Sequence, residues 1–233
     1  MIHVLRLQNV PIFEQLQLEE ALLRLDTRNW CILNEGSSRA IVLGVSGKEE
    51  ELVDLPKAKK KNIPLIKRFS GGGTVIVDEN TVFVTFICQK DLHDFPPFPE
   101  KILQWSSAFY KESLGLSEFA LQENDYTLGL LKCGGNAQYL RKDRWLHHTT
   151  FLWDFENTNM DYLLHPKKTP KYREKRSHLD FLCRLKPLIP SKELMISKIL
   201  RGLQSRYPTV NVPIGDVFPI IRQPHRKSTH YVA

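Results

Sequence analysis

Residues 2–7 alternate apolar and polar side chains and predict a first strand. Residues 12–25 change period. Ile12, Leu16, Leu22 and Leu25 make an apolar stripe with Glu and Gln opposite, the pattern of an amphipathic helix. Strands are predicted over 30–33 and 40–45, joined by a turn at 34–37. Asp54 can cap a short helix through residue 61, with Pro56 tolerated in its first turn. Strands at 63–69, 74–77 and 81–88 follow. After Pro96, Pro97 and Pro99 a long helix is predicted over 100–114, then a second β-block at 127–132, 136–140 and 145–155. A short helix near 160–164 leads into the basic, proline-containing stretch 166–176, which reads as a mobile loop. A helix over 191–207, capped by Ser191, closes a mixed α+β domain of about 1–210, and 211–233 reads as a tail.

The stretch Arg68-Phe69-Ser70-Gly71-Gly72-Gly73-Thr74 interrupts this pattern. Three glycines between two strands cost backbone entropy and pack nothing. They are tolerated where a ligand touches the backbone or the chain turns sharply. Such a loop can aim several N–H groups at one anion. Arg68 and Ser70 add donors. A Walker A loop is excluded because no Lys follows the glycines, and a Rossmann fingerprint because a strand, not a helix, comes next. A glycine-rich hairpin without a ligand is the plain alternative. A second constellation, Asn124-Asp125 followed by Lys132-Cys133-Gly134-Gly135, has a lysine leaving an apolar strand and meeting two glycines. Such a cation can neutralise a carboxylate and a phosphate reacting together. Taken alone, Asn-Asp is also a common turn signal and Lys132 an ordinary surface lysine.

The chain has 233 residues, 42% hydrophobic and 25% charged, ordinary for a globular protein. Neither a membrane-spanning run nor a signal peptide is predicted, and no clear transit peptide is present. The four cysteines are scattered without a Cys-x-x-Cys pair, which argues for free thiols and against structural zinc. The net charge of +7 is concentrated at 57–61, 141–144 and 167–176. Such runs attract acidic partners or are simply solvated faces. Few aromatics interleave them, so nucleic acid is not the expected partner.

In order and spacing, three motifs resemble the lipoate–protein ligase A family: Arg68 to Asp78, Asn124-Asp125 with Lys132 to Ala137, and His147 to Leu152. The resemblance covers about residues 4–188. It implies the class II synthetase-like catalytic fold shared by biotin and lipoate ligases, with mixed, mostly antiparallel sheets flanked by helices. It also implies a chemistry: lipoate or octanoate reacts with ATP, assisted by Mg²⁺, and the acyl-adenylate modifies a lysine of a lipoyl domain. Lys132 would be the catalytic cation. Gly71, Gly72, Gly73, Gly134 and Gly135 would hold the adenylate, and Arg68 and Ser70 would line the acyl pocket and its mouth. Asn124 would meet the adenine and Asp125 the nucleotide or a metal; Val75, Val77 and His148 would flank the acyl chain.

The implied partners are lipoyl domains of 2-oxoacid dehydrogenase complexes or the glycine cleavage H protein, in the cytoplasm or mitochondrial matrix. The basic runs at 141–144 and 167–176 would guide docking. Val77 stands where the family usually has His. The residues after Tyr207 leave no room for a C-terminal accessory domain, so a separate accessory subunit or a preformed acyl-adenylate is expected. Acyl transfer from carrier protein through a Cys133 thioester, and a non-catalytic protein on the same fold that binds lipoyl groups or nucleic acid, are the competing readings.

Overall fold

The computed structural model describes residues 1–232. The chain runs β1 (Ile2–Gln8), α1 (Ile12–Leu25), β2 (Asn29–Glu35), β3 (Ala40–Leu43), α2 (Glu49–Leu52), α3 (Leu55–Lys60), β4 (Leu65–Lys67), β5 (Val75–Val77) and β6 (Thr81–Gln89). It continues through α4 (Pro99–Leu114), β7 (Phe119–Gln122), β8 (Asp125–Leu128), β9 (Leu131–Leu140) and β10 (Arg144–Leu152). It ends with α5 (His178–Phe181), α6 (Lys192–Gln204), β11 (Thr209–Asn211), α7 (Phe218–Ile221) and β12 (His230–Tyr231). An eight-stranded sheet has the order β11-β1-β2-β6-β10-β9-β8-β7, and a four-stranded sheet the order β12-β4-β3-β5. Among the named strands of the described residues, β11-β1, β1-β2 and β3-β4 pair in parallel and the rest antiparallel. The expected mixed, mostly antiparallel α+β fold is therefore present.

Period-two alternation sorts the large sheet's residues onto two faces. Ile2, Val4, Cys31, Leu33, Val84 and Phe86 join α4 and α6 in one core. Leu5, Leu7, Trp30, Ile32 and Ile87 face α1 in another. The first turn of α1 leaves that core: Ile12 and Leu16 pack with Val42, Ile66 and Val77 of the small sheet. One helix thus spans both sheets, and its N-terminal half forms a wall between them. Helix ends follow local chemistry. The Asp54 and Ser191 side chains accept the backbone N–H of Lys57 and Leu194. Gly115, with φ 68°, closes α4.

Five expectations are corrected. The polar side of α1 is not solvated: Gln15, Glu19 and Glu20 are buried. Gln15 and Thr85 donate to Glu19, and Arg24 pairs with Glu20. The predicted turn at 34–37 begins later, because Asn34 and Glu35 remain in β2, and β2 and β3 belong to different sheets. The predicted strand 127–132 is a hairpin, with Gly129 at φ 56° and Leu130 exposed at its tip. Lys132 therefore begins β9 rather than ending a strand.

The stretch 166–176 is an anchored strap. Lys167 pairs with Glu51, Tyr172 donates to Asp125, and Arg176 donates to the Leu130 carbonyl. Glu174 and Lys175 adopt left-handed φ of 50° and 61°, held by reciprocal bonds from the Arg173 and Arg176 side chains to each other's carbonyls. The expected tail packs on the domain as well. Its β12 pairs with β4, Tyr231 stacks on Phe13 at 4.0 Å, and Glu20 accepts the backbone N–H groups of Ser228 and Thr229.

His147 is fully buried on β10, where Gln138 Nε2 is 3.1 Å from Nδ1 and the Tyr126 hydroxyl 3.0 Å from Nε2. Burial pushes its pKa down to about 3. Between the ordinary value of 6.5 and about 3 the unfolded chain takes up a proton that the folded chain refuses. Stability therefore falls as pH drops through that window, by up to ~1.4 kcal/mol per pH unit from this residue. His147→Gln should flatten the dependence of unfolding free energy on pH by about one proton between roughly pH 6 and 4, measured by urea titration.

Candidate active site

The glycine loop is shaped from inside by Arg68. After β4 its backbone N–H donates to Leu43, and its guanidinium turns back to the carbonyls of Gly71 (3.1 Å) and Gly73 (2.8 Å). The side chain is buried, and burial lowers its pKa to about 10 against the opposing field of Glu19. It is still a cation at neutral pH. Arg68 thus reaches the cavity wall mainly as the brace of the loop, not as a free donor.

Gly72, at φ +117°, has no room for a side chain. A Cβ there would lie 2.5 Å from Arg68 Nη2 and 2.9 Å from the Asn136 carbonyl on β9. A Cβ on Gly44 would meet the Gly72 carbonyl at 2.1 Å. These close approaches seat the small sheet's loop against the large sheet. Gly71 and Gly73 differ, since a Cβ on either meets nothing within 4 Å. Both border a cavity of about 910 Å³, and these two leave the approach to the loop backbone open.

Lys132 lines the same cavity and bonds Asp125 across the β8–β9 hairpin, Nζ to Oδ1 2.8 Å. Gly135 makes room for it: a Cβ there would lie 3.3 Å from Nζ. Asp125 Oδ2 accepts from the Tyr172 hydroxyl at 2.9 Å, so the strap is tied to the lysine through one carboxylate. Burial and the neighbouring carboxylate push the Tyr172 phenol well above its ordinary pKa, which keeps it a proton donor. Glu123 accepts the Lys171 backbone N–H and anchors the same strap. Asn124 sits exposed at the β7–β8 turn on the cavity rim.

Ile12, Leu16, Val42, Val75, Val77 and Phe83 form the apolar wall. One polar cluster interrupts it: His148 Nδ1 lies 3.0 Å from both Glu19 Oε1 and Thr85 Oγ1, and Nε2 lies 3.2 Å from Thr150 Oγ1. The cavity therefore joins an apolar compartment to a rim bearing a cation and accessible backbone. Such a shape suits a molecule with a hydrocarbon chain and an anionic head.

A family model, the lipoyl protein ligase A/B catalytic domain, matches residues 11–204. This chain belongs to that family. An inactive lipoate–protein ligase 2 of Plasmodium falciparum is 29% identical over 83% of this chain and 66% of its own length. The lipoate–protein ligase LplJ of Bacillus subtilis is 28% identical over 60% of this chain and 42% of its own length. The chain thus spans less than two thirds of these curated relatives. Among solved structures, a bipartite lipoate–protein ligase from Thermoplasma acidophilum, described together with its E2 lipoyl domain, superposes with a TM-score of 0.76 at 20% identity, over 94% of this chain and 90% of the other. A lipoate–protein ligase A bound with ATP gives 0.75 at 18%, over 95% and 92%. These likenesses establish the biotin/lipoate ligase catalytic fold.

Within this ligase fold, Gly71, Gly72, Gly73, Arg68, Val75, Val77, Asn124, Asp125, Lys132, Gly135 and His148 all border one cavity. Two expected residues do not. Ser70 is buried with its carbonyl bonded to Val45 N–H, and Gly134 faces the core, where a Cβ would lie 3.1 Å from Phe151. Strand alternation turns Gly134 inward, and the bond from Val45, just after β3, holds Ser70. Asp125 uses both oxygens on protein partners, Oδ1 on Lys132 and Oδ2 on Tyr172, and no cluster of three or more His, Cys, Asp or Glu placed for a metal surrounds it among the described residues. The basic run 141–144 is partly internal: Arg144 is buried and bonds the Arg28 carbonyl, while Arg141 bonds the carbonyls of Leu23 and Arg24 at the end of α1. Glu19, Gly44, Thr150 and Tyr172 escaped the sequence reading. Glu19 and Thr150 sit in an ordinary helix and strand, Gly44 just after β3 and Tyr172 in the strap, and only long-range contact gives each its role.

Gly71→Val should leave the melting temperature nearly unchanged while abolishing binding of a non-hydrolysable acyl-adenylate analogue in calorimetry. Gly72→Val should instead destabilise the fold by ~2 kcal/mol or more, because its side chain collides with protein. Tyr172→Phe should alter global stability by only ~1 kcal/mol, yet speed tryptic cleavage within 166–176 several-fold, since one strap anchor is lost.

Proposed function

We infer that the chain is the catalytic part of a lipoate–protein ligase. In this reading a lipoate or octanoate carboxylate attacks the α-phosphorus of ATP, pyrophosphate leaves, and a lysine amine of a lipoyl domain attacks the acyl carbon and expels AMP. The observation that carries this reading is the convergence of Lys132 and the open backbone at Gly71 and Gly73 on one cavity with an apolar wall. The Lys132 ammonium would offset charge on the carboxylate and α-phosphate as they approach. Released from Asp125 by the incoming anion, it needs to move only within the space left by Gly135. The side-chain-free loop would hold phosphate oxygens through its N–H groups. Ile12, Leu16, Val77 and Phe83 would take the hydrocarbon chain, and the strap over the rim would exclude water from the mixed anhydride. Magnesium would travel with the triphosphate, and the Asp125 carboxylate, once Lys132 turns to the anion, would be the residue beside it; no step here depends on that contact.

The names of similar proteins support the substrates: one neighbour is bound with ATP and another, Plasmodium falciparum LipL1, is in complex with lipoate. A lipoyl-domain acceptor is supported by the neighbour described with its E2 lipoyl domain. The exposed lysines of 57–61 and 167–175 would meet an acidic acceptor, with salt weakening the encounter. A second reading rests on the Plasmodium falciparum relative named inactive and on the bipartite neighbour. It holds that the chain transfers from a preformed acyl-adenylate, or activates the acid only with an accessory subunit. A thioester route is disfavoured. Cys133 is wholly buried with its thiol donating to the Tyr126 carbonyl, and the neighbouring Cys183 thiol together with burial pushes its pKa well up.

Purified chain should catalyse ATP–pyrophosphate exchange that depends on lipoate or octanoate. Modification of a lipoyl domain without exchange, from synthetic lipoyl-AMP only, would replace the ligase with the transferase. Lys132→Ala should lower acyl transfer by ~10²–10³-fold with an unchanged circular dichroism spectrum. A wild-type rate would remove Lys132 from the chemistry.

A further inference from the structure

Two of the four thiols lie side by side, directly behind Lys132. Lys132 bridges Leu182 in parallel register, and the Cys183 N–H donates to the Lys132 carbonyl at 2.9 Å. One step further along both segments stand Cys133 and Cys183. Adjacent extended segments lie about 4.8 Å apart, inside the Cα separation that a disulfide spans. Cys183 packs against the core that contains Cys133; the Cys133 thiol donates to the Tyr126 carbonyl at 3.4 Å and the Cys183 thiol to the Leu131 carbonyl at 3.6 Å. The neighbouring thiol and burial raise the Cys133 pKa, while the same neighbour lowers that of Cys183, so the half-buried Cys183 is the better nucleophile. Cys31 and Cys88 are shut inside the core, where burial pushes both thiols up, and they serve as internal controls.

The segment around Cys183 also carries the strap. Phe181 lies under the guanidinium groups of Arg173 (4.9 Å) and Arg176 (5.3 Å), and His178 Nδ1 is 3.3 Å from Arg173 Nη2. We propose that Cys133 and Cys183 form a reversible intrachain disulfide that fastens the strap's C-terminal anchor to the strand bearing Lys132. A hydroperoxide is the oxidant. The Cys183 thiolate attacks one peroxide oxygen, an S–O bond forms, the O–O bond breaks, and hydroxide leaves as water. The Cys133 sulfur then gives up its proton and attacks the Cys183 sulfur. The S–S bond forms and the second oxygen leaves as water. Two thiols and one hydrogen peroxide thus become one disulfide and two waters. This site stands whether or not the cavity adenylates an acid.

The test treats the full chain with a small excess of hydrogen peroxide and maps its peptides without reductant. The expected product joins the Cys133 and Cys183 peptides and leaves Cys31 and Cys88 as thiols. Native-state tryptic cleavage within 166–176 should slow several-fold after oxidation and recover with dithiothreitol. Cys183→Ser should show neither change. Phenylarsine oxide, which takes two neighbouring thiols at once, should shield both cysteines of the untreated protein from alkylation. Oxidation of Cys183 to sulfinic acid with no joined peptide would overturn the proposal, as would equal protection of the strap in Cys183→Ser.

Discussion

The buried guanidinium of Arg68 holds the glycine loop closed, and the cavity depends on that grip. A charge with so little solvent must be repaid by hydrogen bonds. The carbonyls of Gly71 and Gly73 supply them, and Glu19 adds a favourable field from across the wall. With those carbonyls turned inward to the guanidinium, Gly71 and Gly73 keep clear space on the cavity side. The contacts of Gly44, Gly72 and Asn136 then press the loop onto β9, so a local turn also welds the two sheets. A ligand site at this seam inherits the rigidity of both.

Helix α1 extends the same logic. Two adjacent carboxylates, Glu19 and Glu20, enter the protein on different errands. Glu19 reaches His148 and Thr85 at the cavity wall, while Glu20 receives Arg24 and the backbone of Ser228 and Thr229. Fully partnered buried acids of this kind are costly to disturb, because removing one partner strands a charge in low dielectric. The C-terminal segment is thereby bound to the helix that walls the cavity, and through β12 to the strand that leads into Arg68.

Charge divides in the same way between structure and surface. Several arginines that look like a docking surface in sequence are spent on carbonyls and rings: Arg141 and Arg144 at the end of α1, Arg173 and Arg176 within the strap. The lysines stay outside. This separation follows their chemistry, since a planar, weakly hydrated guanidinium tolerates burial against carbonyls and aromatic faces better than an ammonium does. Lys132 is the instructive exception. It is partly enclosed and paired with Asp125, where an ammonium would be unfavourable without its partner.

Local sequence alone determined most elements, the α+β class, the glycine loop and the lysine beside the Gly134-Gly135 pair. Apolar periodicity and glycine's missing side chain act within a few residues, so they are legible without a fold. The tertiary structure decided the rest. It turned the polar side of α1 inward and moved Lys132 from the end of a strand to the start of the next by letting Gly129 take a left-handed turn. It also sent Ser70, Gly134 and Cys133 into the core while leaving Gly71, Gly73 and Gly135 on the cavity, although these residues are neighbours in the chain. Adjacent strand residues point to opposite faces, and which face becomes core is chosen by partners far away in sequence.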